Sequence, residues 1–196
     1  MILGITGGTG SGKTTLLEIA QMLGFRVLDC DKIYHELLET DPGLTAAIEA
    51  RFPGTVEDGR LQRKKLGTIV FADPKALEDL NAITHSAVSK AVTARLGTGN
   101  VAIDAIALFE SGLAQLCDVT VAVVAPEEQR VQRLMAREGI SEEYARSRIA
   151  AQPPESFYRE RCDEVLENAG EIVQFQGKCL AFFHRLGIMK ENPKEV

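Results

Sequence analysis

The residues best suited to chemistry lie in a glycine-rich segment close to the first residue. The run Gly7-Gly8-Thr9-Gly10-Ser11-Gly12-Lys13-Thr14 fits the pattern G-x-x-x-x-G-K-[ST] and follows an apolar run, Met1 to Thr6. In this pattern the backbone amides hold anionic oxygens, the lysine reaches the β- and γ-phosphates, and the threonine hydroxyl binds Mg²⁺. A helix that begins at Thr14 would point its N-terminus at the same anion. We therefore predict a triphosphate site at Gly8, Thr9, Gly10, Ser11, Gly12, Lys13, Thr14 and Thr15.

Two carboxylates follow the second apolar run of the chain. Asp29 and Asp31 are spaced i, i+2, which on an extended segment directs both side chains to one face. A kinase uses such a carboxylate to orient the acceptor hydroxyl and take its proton. The structural alternative is that Asp31 caps a helix beginning at Lys32. Beside a phosphate loop we favour the catalytic role for Asp31, whereas for Asp29 the two readings stay open.

A segment rich in arginine lies between Pro126 and Gln152. Arg133 and Arg137 are four residues apart, with Arg130 beside them, so all three lie close together on a helix. One reading is a solvated face whose arginines pair with neighbouring glutamates. The other is a lid that closes over the triphosphate, because a guanidinium matches phosphate oxygens and stabilises the charge in phosphoryl transfer. The sequence does not decide which arginine dominates.

Two further residues are weaker candidates. Asp104 ends a hydrophobic strand. In phosphate-loop enzymes an aspartate at the end of such a strand acts on Mg²⁺. The signal is weak by itself, because many strands end in Asp. The metal ligands we predict are Thr14 together with Asp29 or Asp104. His85 follows a helical run, and a lone histidine is more often structural than functional.

The elements that position these residues alternate between strand and helix. Apolar runs predict strands at Ile2–Thr6, Phe25–Cys30, Val101–Ile106, Val119–Ala125 and Glu164–Glu167. This alternation predicts an α/β three-layer sandwich, a phosphate-loop fold with a parallel five-stranded sheet. Ligands of such sheets bind at the carboxyl ends of the strands, where the candidate residues lie. We predict one domain, 1–196, with a nucleotide-binding core of 1–31, 97–125 and 153–188, a helical acceptor-binding insertion of 32–96 and a lid of 126–152.

The charge and the apolar content of the chain limit the classes of partner that we expect. The net charge of −6 argues against binding to nucleic acid or to anionic lipid, and no apolar run is long enough for a membrane span. The four cysteines form no C-x-x-C pair, which is typical of a reducing compartment. Because residues 1–6 lead directly into the phosphate loop, we expect no signal peptide and a cytoplasmic location. The oligomeric state stays open, with a monomer favoured.

The order and spacing of the motifs resemble those of the dephospho-coenzyme A kinase family over almost the whole chain. The blocks that carry the resemblance are Gly4–Thr15, Leu23–Phe25, Asp29–Asp31, Asp58–Arg63, Leu66–Phe71, Ile83–His85, Leu108–Glu110, Gln129–Arg137, Arg148–Gln152 and Asp163–Asn168. After Asp104 the family usually has a proline and two leucines, where this chain has Ala105-Ile106-Ala107-Leu108. The residue after His85 is usually proline in the family and is Ser86 here. These departures concern the acceptor side rather than the reaction type.

The resemblance implies phosphorylation by Mg-ATP of the ribose 3′-hydroxyl of dephospho-coenzyme A, giving coenzyme A and ADP. It implies that Asp31 is the base, that Lys13 and Arg137 act on the transferring group, and that Arg133 and Asn168 belong to the ATP site. The acceptor site it implies consists of Asp31, Arg63, Phe71, His85 and Leu108.

Three other functions are compatible with the phosphate loop alone, and other residues of the chain bear on each. A kinase for a nucleoside, nucleotide or small metabolite would share the loop but not the acceptor insertion. A regulatory GTPase would need an N-K-x-D segment, and no asparagine of this chain is followed by lysine. A nucleotide-binding protein without catalysis would not need Lys13, Thr14, Asp31 and the arginines, all of which are present.

Overall fold

A parallel five-stranded sheet organises the chain. The structure, a computed structural model, describes residues 1–189. The sequence predicts a frayed polar tail from Met189 to Val196, and this tail lies outside the described residues except for Met189. The strands are ordered β2-β5-β1-β6-β7, and a separate hairpin pairs β3 with β4. Their bounds are β1 Ile2–Thr6, β2 Arg26–Asp29, β3 Val56–Glu57, β4 Arg60–Leu61, β5 Val101–Asp104, β6 Val119–Val124 and β7 Glu164–Glu167. The predicted fold class and its five strands are confirmed.

Helices connect β1 to β2, β2 to β5 and β6 to β7, whereas the connection from β5 to β6 contains only a 3₁₀ turn. The helices are α1 Lys13–Met22, α2 Cys30–Thr40, α3 Pro42–Arg51, α4 Arg63–Val70, α5 Pro74–Arg95, α6 Glu127–Glu138, α7 Glu142–Ala150, α8 Glu155–Arg161 and α9 Ile172–Arg185, with a 3₁₀ turn at Leu113–Leu116. Within residues 1–189, none of the helices combines the length and hydrophobicity needed to cross a bilayer.

The chain divides into two compact units. Unit 1 comprises residues 1–27, 99–108 and 116 onward, and unit 2 comprises residues 28–98 and 109–115. The division falls inside β2, and the predicted insertion 32–96 lies within unit 2. The predicted lid 126–152 contains α6 and α7, which belong to unit 1. The finer domain boundaries and the names of these segments stay a prediction.

The core of unit 1 lies between the sheet and the two helices α1 and α9. Leu3, Ile5 and Leu16 have no exposed surface, and Phe182 and Phe183 pack into the same cluster. Strands apolar on both faces are the pattern expected of a covered parallel sheet. The apolar residues Leu180, Phe182, Phe183 and Leu186 predict the packed face of a last helix. Leu180 is nevertheless exposed, because the buried stripe of α9 runs through Phe175, Cys179, Phe182 and Phe183.

Unit 2 has a core of its own, built from α2, α3, α4 and α5. Ile48 and Phe52 are almost completely buried in it, with Leu66 and Val70 of α4. The hairpin of β3 and β4 turns at Asp58 and Gly59, which both have positive φ. That Asp-Gly pair is a strong hairpin signal between short β-prone segments, which a helical reading of the insertion overlooks.

Candidate active site

The phosphate loop joins β1 to α1. Gly12 caps the N-terminus of α1 with φ 99°, a left-handed conformation that glycine adopts without strain. No side chain caps this helix and no acidic residue lies in its first turn, so the positive end of its dipole can attract an anion. Lys13 opens the helix, and its Nζ donates to the carbonyl oxygen of Gly7 at 2.8 Å. The loop therefore has the backbone of an anion-binding site.

Two glycines of the loop lie directly against side chains from other segments. A Cβ on Gly8 would collide with the guanidinium of Arg130, and a Cβ on Gly12 would collide with the carboxamide of Asn168. A residue with a side chain at either position would force these partners to shift. The glycines thus serve the packing of the loop against its neighbours as well as its curvature.

Two arginines of α6 donate to main-chain oxygens of the loop. Arg130 Nε donates to the Thr9 oxygen at 2.9 Å, and Arg133 Nη1 donates to the oxygens of Gly10 and Ser11, both at 3.2 Å. Burial lowers the pKa of both guanidinium groups. For Arg130, the charges of Tyr158 and Glu127 act in the opposite direction and raise the pKa. A cation at this depth beside a phosphate loop can offset phosphate charge.

Arg137 lies elsewhere in this structure. It occupies the last turn of α6, its side chain is 59% exposed, and its guanidinium pairs with Glu138. Arg148 pairs with the same glutamate. The structure therefore brings Arg133, but not Arg137, to the phosphate loop. The solvated-face reading fits Arg146, which pairs on the surface with Glu127, Glu128 and Glu142.

Asn168 holds the loop from the end of β7. It is 4% exposed, and its Nδ2 donates to the Ser11 oxygen at 2.8 Å. Its own N–H donates to Val124 and its carbonyl accepts from Arg133 Nη2 at 3.3 Å. The side chain of Asn168 is therefore directed at the phosphate loop.

The two candidate metal carboxylates differ in their surroundings. Asp104 ends β5 and is in register with Ile5 of β1, two residues before Gly7. Asp29 instead caps α2: its Oδ1 accepts from the Lys32 N–H at 3.0 Å and its Oδ2 pairs with Lys32 Nζ at 3.1 Å. Asp104 therefore lies beside the start of the phosphate loop within unit 1, whereas the carboxylate of Asp29 is used in capping α2.

Asp31 is not a helix cap, contrary to the structural alternative considered for it. Helix α2 begins at Cys30, one residue after Asp29, so Asp31 lies in the first helical turn and not on an extended segment. The premise that Asp29 and Asp31 share the face of a strand is therefore wrong. Asp31 is exposed, and its carboxylate makes no hydrogen bond to any residue within 1–189; its carbonyl oxygen accepts from His35 Nδ1 at 2.7 Å.

The other predicted acceptor residues lie in different surroundings. Arg63 is near Tyr34 of α2: burial raises the pKa of Tyr34, and the charge of Arg63 acts in the opposite direction. Phe71, at the end of α4, is 83% exposed, an unusual state for an aromatic residue without a partner surface. Leu108, in contrast, is fully buried against Gly4 in unit 1, so its side chain belongs to the core.

His85 is partly buried on α5. Burial lowers its pKa, and the charge and main chain of Glu110 act in the opposite direction. Both residues belong to unit 2. A histidine whose pKa is lowered is neutral at neutral pH and can accept or donate a hydrogen bond through either ring nitrogen.

The residues Arg130 and Gln152 contact the loop but were not predicted as site residues. Arg130 was noted only as a neighbour of Arg133, and Gln152 only as part of a motif shared with the family. The Oε1 atom of Gln152 accepts from the Thr9 N–H at 2.8 Å and from Arg130 Nη2 at 3.0 Å. A signal for both residues was present in the sequence, because each belongs to a block shared with the family, one near the start and one at the end of the arginine-rich segment.

The oxygen groups present suit Mg²⁺, which prefers hard oxygen ligands and usually keeps several waters. Thr14 is exposed in the first turn of α1, and Asp104 ends the neighbouring strand. Among residues 1–189 no group of three or more histidine, cysteine, aspartate or glutamate side chains could hold a metal ion. One hydroxyl and one carboxylate fit a metal held mainly by phosphate oxygens and water.

Comparison with known proteins identifies the family. A family model for dephospho-CoA kinase matches residues 1–174. A dephospho-CoA kinase of Syntrophotalea carbinolica is 36% identical over 194 residues, which cover 95% of this chain and 92% of that protein. One from Thermus thermophilus is 38% identical over 179 residues, covering 90% and 87%.

Solved structures share the fold of this chain. A crystal structure from Thermus thermophilus is 36% identical, with a TM-score of 0.78, and the match covers 95% of this chain and 97% of that one. A dephospho-CoA kinase from Campylobacter jejuni, at 24% identity and a TM-score of 0.68 over 96% and 98% of the chains, shares the fold. The phosphate loop, the fold and these matches together make the chain an enzyme of the dephospho-CoA kinase family.

Proposed function

We propose that this protein transfers the γ-phosphoryl group of ATP to the ribose 3′-hydroxyl of dephospho-coenzyme A. The bond from the γ-phosphorus to the β–γ bridging oxygen breaks as the bond to the 3′-oxygen forms, and the products are ADP and coenzyme A. The observation that carries the proposal is the family match over residues 1–174, which includes an intact phosphate loop.

Asp31 is the base in this proposal. Its carboxylate is exposed at the first turn of α2 and is not used as a cap, so it is available to orient the hydroxyl and accept its proton. The neighbouring Asp29 performs the capping that would otherwise be the structural reason for an aspartate here. Arg63, Phe71 and His85 of unit 2 are proposed to bind the acceptor.

The phosphate loop and α6 hold the triphosphate in this proposal. Amides from Gly10 to Thr14 and Lys13 Nζ bind its oxygens, which requires Lys13 to leave the Gly7 carbonyl. Arg133 supports the loop and offsets phosphate charge. Arg137, whose exposed partner is Glu138, turns toward the transferring group, since an exposed ion pair costs little to break.

Mg²⁺ would be held by Thr14 and Asp104. When bound, the ion neutralises charge on the β- and γ-phosphates. Asp104 is preferred over Asp29 because of its register beside β1 and because Asp29 is occupied by Lys32.

Release of ADP from Mg-ATP by the purified protein tests the proposal. We expect turnover with dephospho-coenzyme A but not with adenosine, AMP or no acceptor, and a product phosphorylated at the 3′ position by ³¹P NMR. Loss of the base in Asp31→Asn should lower kcat by roughly 10²-fold or more. Glu78→Gln, at an exposed carboxylate of the same unit, is the matched control and should keep wild-type turnover.

The other outcomes are equally informative. Turnover with a different acceptor would retain a phosphate-loop kinase and reject the proposed acceptor. Tight ATP binding without turnover on any acceptor would point to a nucleotide-binding protein without catalysis. Full activity in Asp31→Asn would reject the base while leaving the reaction in place.

A further inference from the structure

A ring of hydrogen bonds holds the tip of the phosphate loop. The Thr9 N–H donates to Gln152 Oε1 at 2.8 Å, and Arg130 Nη2 donates to the same oxygen at 3.0 Å. Arg130 Nε donates to the Thr9 carbonyl at 2.9 Å, which closes the ring. We call Thr9, Arg130 and Gln152 the loop latch. Both main-chain groups of Thr9 are thus satisfied by side chains from the arginine-rich segment.

The latch joins both ends of that segment to one peptide of the loop. Arg130 lies in the first turn of α6, and Gln152 follows the end of α7, where its N–H donates to the Ile149 carbonyl. Thr9 is only 8% exposed, so an unpaired N–H at this position would be costly. Any movement of the segment must either break the latch or carry the loop tip with it.

We propose that Gln152 is a positioning residue for nucleotide binding. Its side-chain oxygen fixes the Thr9 peptide on the side of Arg130, which holds the backbone at the tip of the loop in one conformation for the nucleotide. The proposal rests on the proposed function only insofar as the loop binds a nucleotide. No contact between Gln152 and substrate is required.

The latch acts by limiting the conformations of the loop. A loop that is binding-competent for only a fraction of the time has an apparent Kd raised by the inverse of that fraction. Without the Gln152 oxygen, the Thr9 N–H and one Arg130 N–H lose their shared acceptor, and other loop conformations become populated. Because Gln152 Nε2 makes no hydrogen bond within residues 1–189, the oxygen alone is responsible.

Calorimetric titration with ADP tests this directly. Gln152→Met keeps the length of the side chain but removes the acceptor, and we expect it to weaken ADP binding by roughly 5- to 30-fold. Gln152→Glu keeps an oxygen for both donors and should stay within about 3-fold of wild type. Gln21→Met, at an exposed glutamine of α1, is the matched control. The KM for dephospho-coenzyme A should change by less than about 2-fold in each variant.

A mutant cycle separates the latch from general destabilisation. Arg130→Met and Gln152→Met remove partners in one ring, so the double variant should lose less ADP affinity than the product of the two single losses. ADP binding by Gln152→Met within about 2-fold of wild type would overturn the proposal, as would Gln152→Glu binding as weakly as Gln152→Met. If the wild type bound ADP but did not phosphorylate dephospho-coenzyme A, only the proposed function would fall. A wild type without ADP binding would overturn both.

Discussion

The Nδ2 atom of Asn168 donates to the carbonyl oxygen of Ser11 at 2.8 Å, across 157 residues of sequence. This bond connects the carboxyl end of β7 to the phosphate loop that follows β1. In the same place a Cβ on Gly12 would collide with Asn168. The loop is therefore held from a strand two positions away in the sheet, and its shape depends on residues far along the chain.

Asn168→Ala should loosen the loop and destabilise unit 1. The buried carboxamide loses its hydrogen bond to Ser11, and we expect the free energy of unfolding to fall by about 1–3 kcal/mol. The KM for ATP should rise more than the KM for dephospho-coenzyme A. Denaturant unfolding and steady-state kinetics measure these effects, with the exposed Asn81→Ala as control. Unchanged stability together with an unchanged KM for ATP would contradict the buttressing role.

Arg133 and Arg137 should give different kinetic defects. Arg133 donates to the loop carbonyls, so Arg133→Met should raise the KM for ATP and lower the melting temperature. Arg137 is paired only on the surface, so Arg137→Met should lower kcat by roughly 10-fold or more while leaving the melting temperature unchanged. Arg146→Met removes a comparable surface cation and is the control. Equal defects in both variants would reject this division of labour.

Asp104 and Asp29 can be separated by their Mg²⁺ dependence. Asp104→Asn removes a proposed metal carboxylate, and the Mg²⁺ concentration for half-maximal turnover should rise by roughly 10-fold or more. Asp29→Asn keeps a side chain that caps helices equally well. It should leave the Mg²⁺ concentration for half-maximal turnover unchanged and alter the free energy of unfolding by no more than about 0.5 kcal/mol. A rise in the Mg²⁺ requirement with Asp29→Asn alone would reverse the assignment.

Acidification should destabilise the protein in part through His85. Burial lowers the pKa of His85 in the folded state below its ordinary value of about 6.5. The unfolded chain therefore binds more protons between the folded pKa and 6.5, and stability decreases as the pH falls through that window. When the pH is lowered from about 7.5 to about 5.5, the free energy of unfolding should therefore fall less in His85→Gln than in the wild type.

Thermal unfolding at several pH values measures this difference. His184→Gln, at an exposed histidine in the last turn of α9, is the control for loss of an imidazole. Parallel pH profiles for wild type and His85→Gln would show that His85 contributes nothing to the pH dependence.

Local patterns were sufficient for the sheet and the phosphate loop. The strand at Ile2–Thr6 and the run from Gly7 to Thr14 are adjacent in sequence, so composition and spacing alone specify a strand, an anion-binding turn and a helix. At the hairpin Val56–Leu61 the Asp58-Gly59 turn is the one local signal, because its two strands are only two residues long, too short for a periodic pattern.

The chain itself thus determined the fold class, the phosphate loop and the family, because these depend on residue types at short, fixed spacing. Only the tertiary structure decided which of two nearby aspartates caps α2, because capping depends on where the helix begins. It also decided that Arg130 and Gln152 hold Thr9, and that Leu108 is a core residue. The contacts of Thr9 join residues more than one hundred positions apart, and the burial of Leu108 depends on how chain segments pack. The spacing of neighbouring residues in the sequence does not encode such relationships.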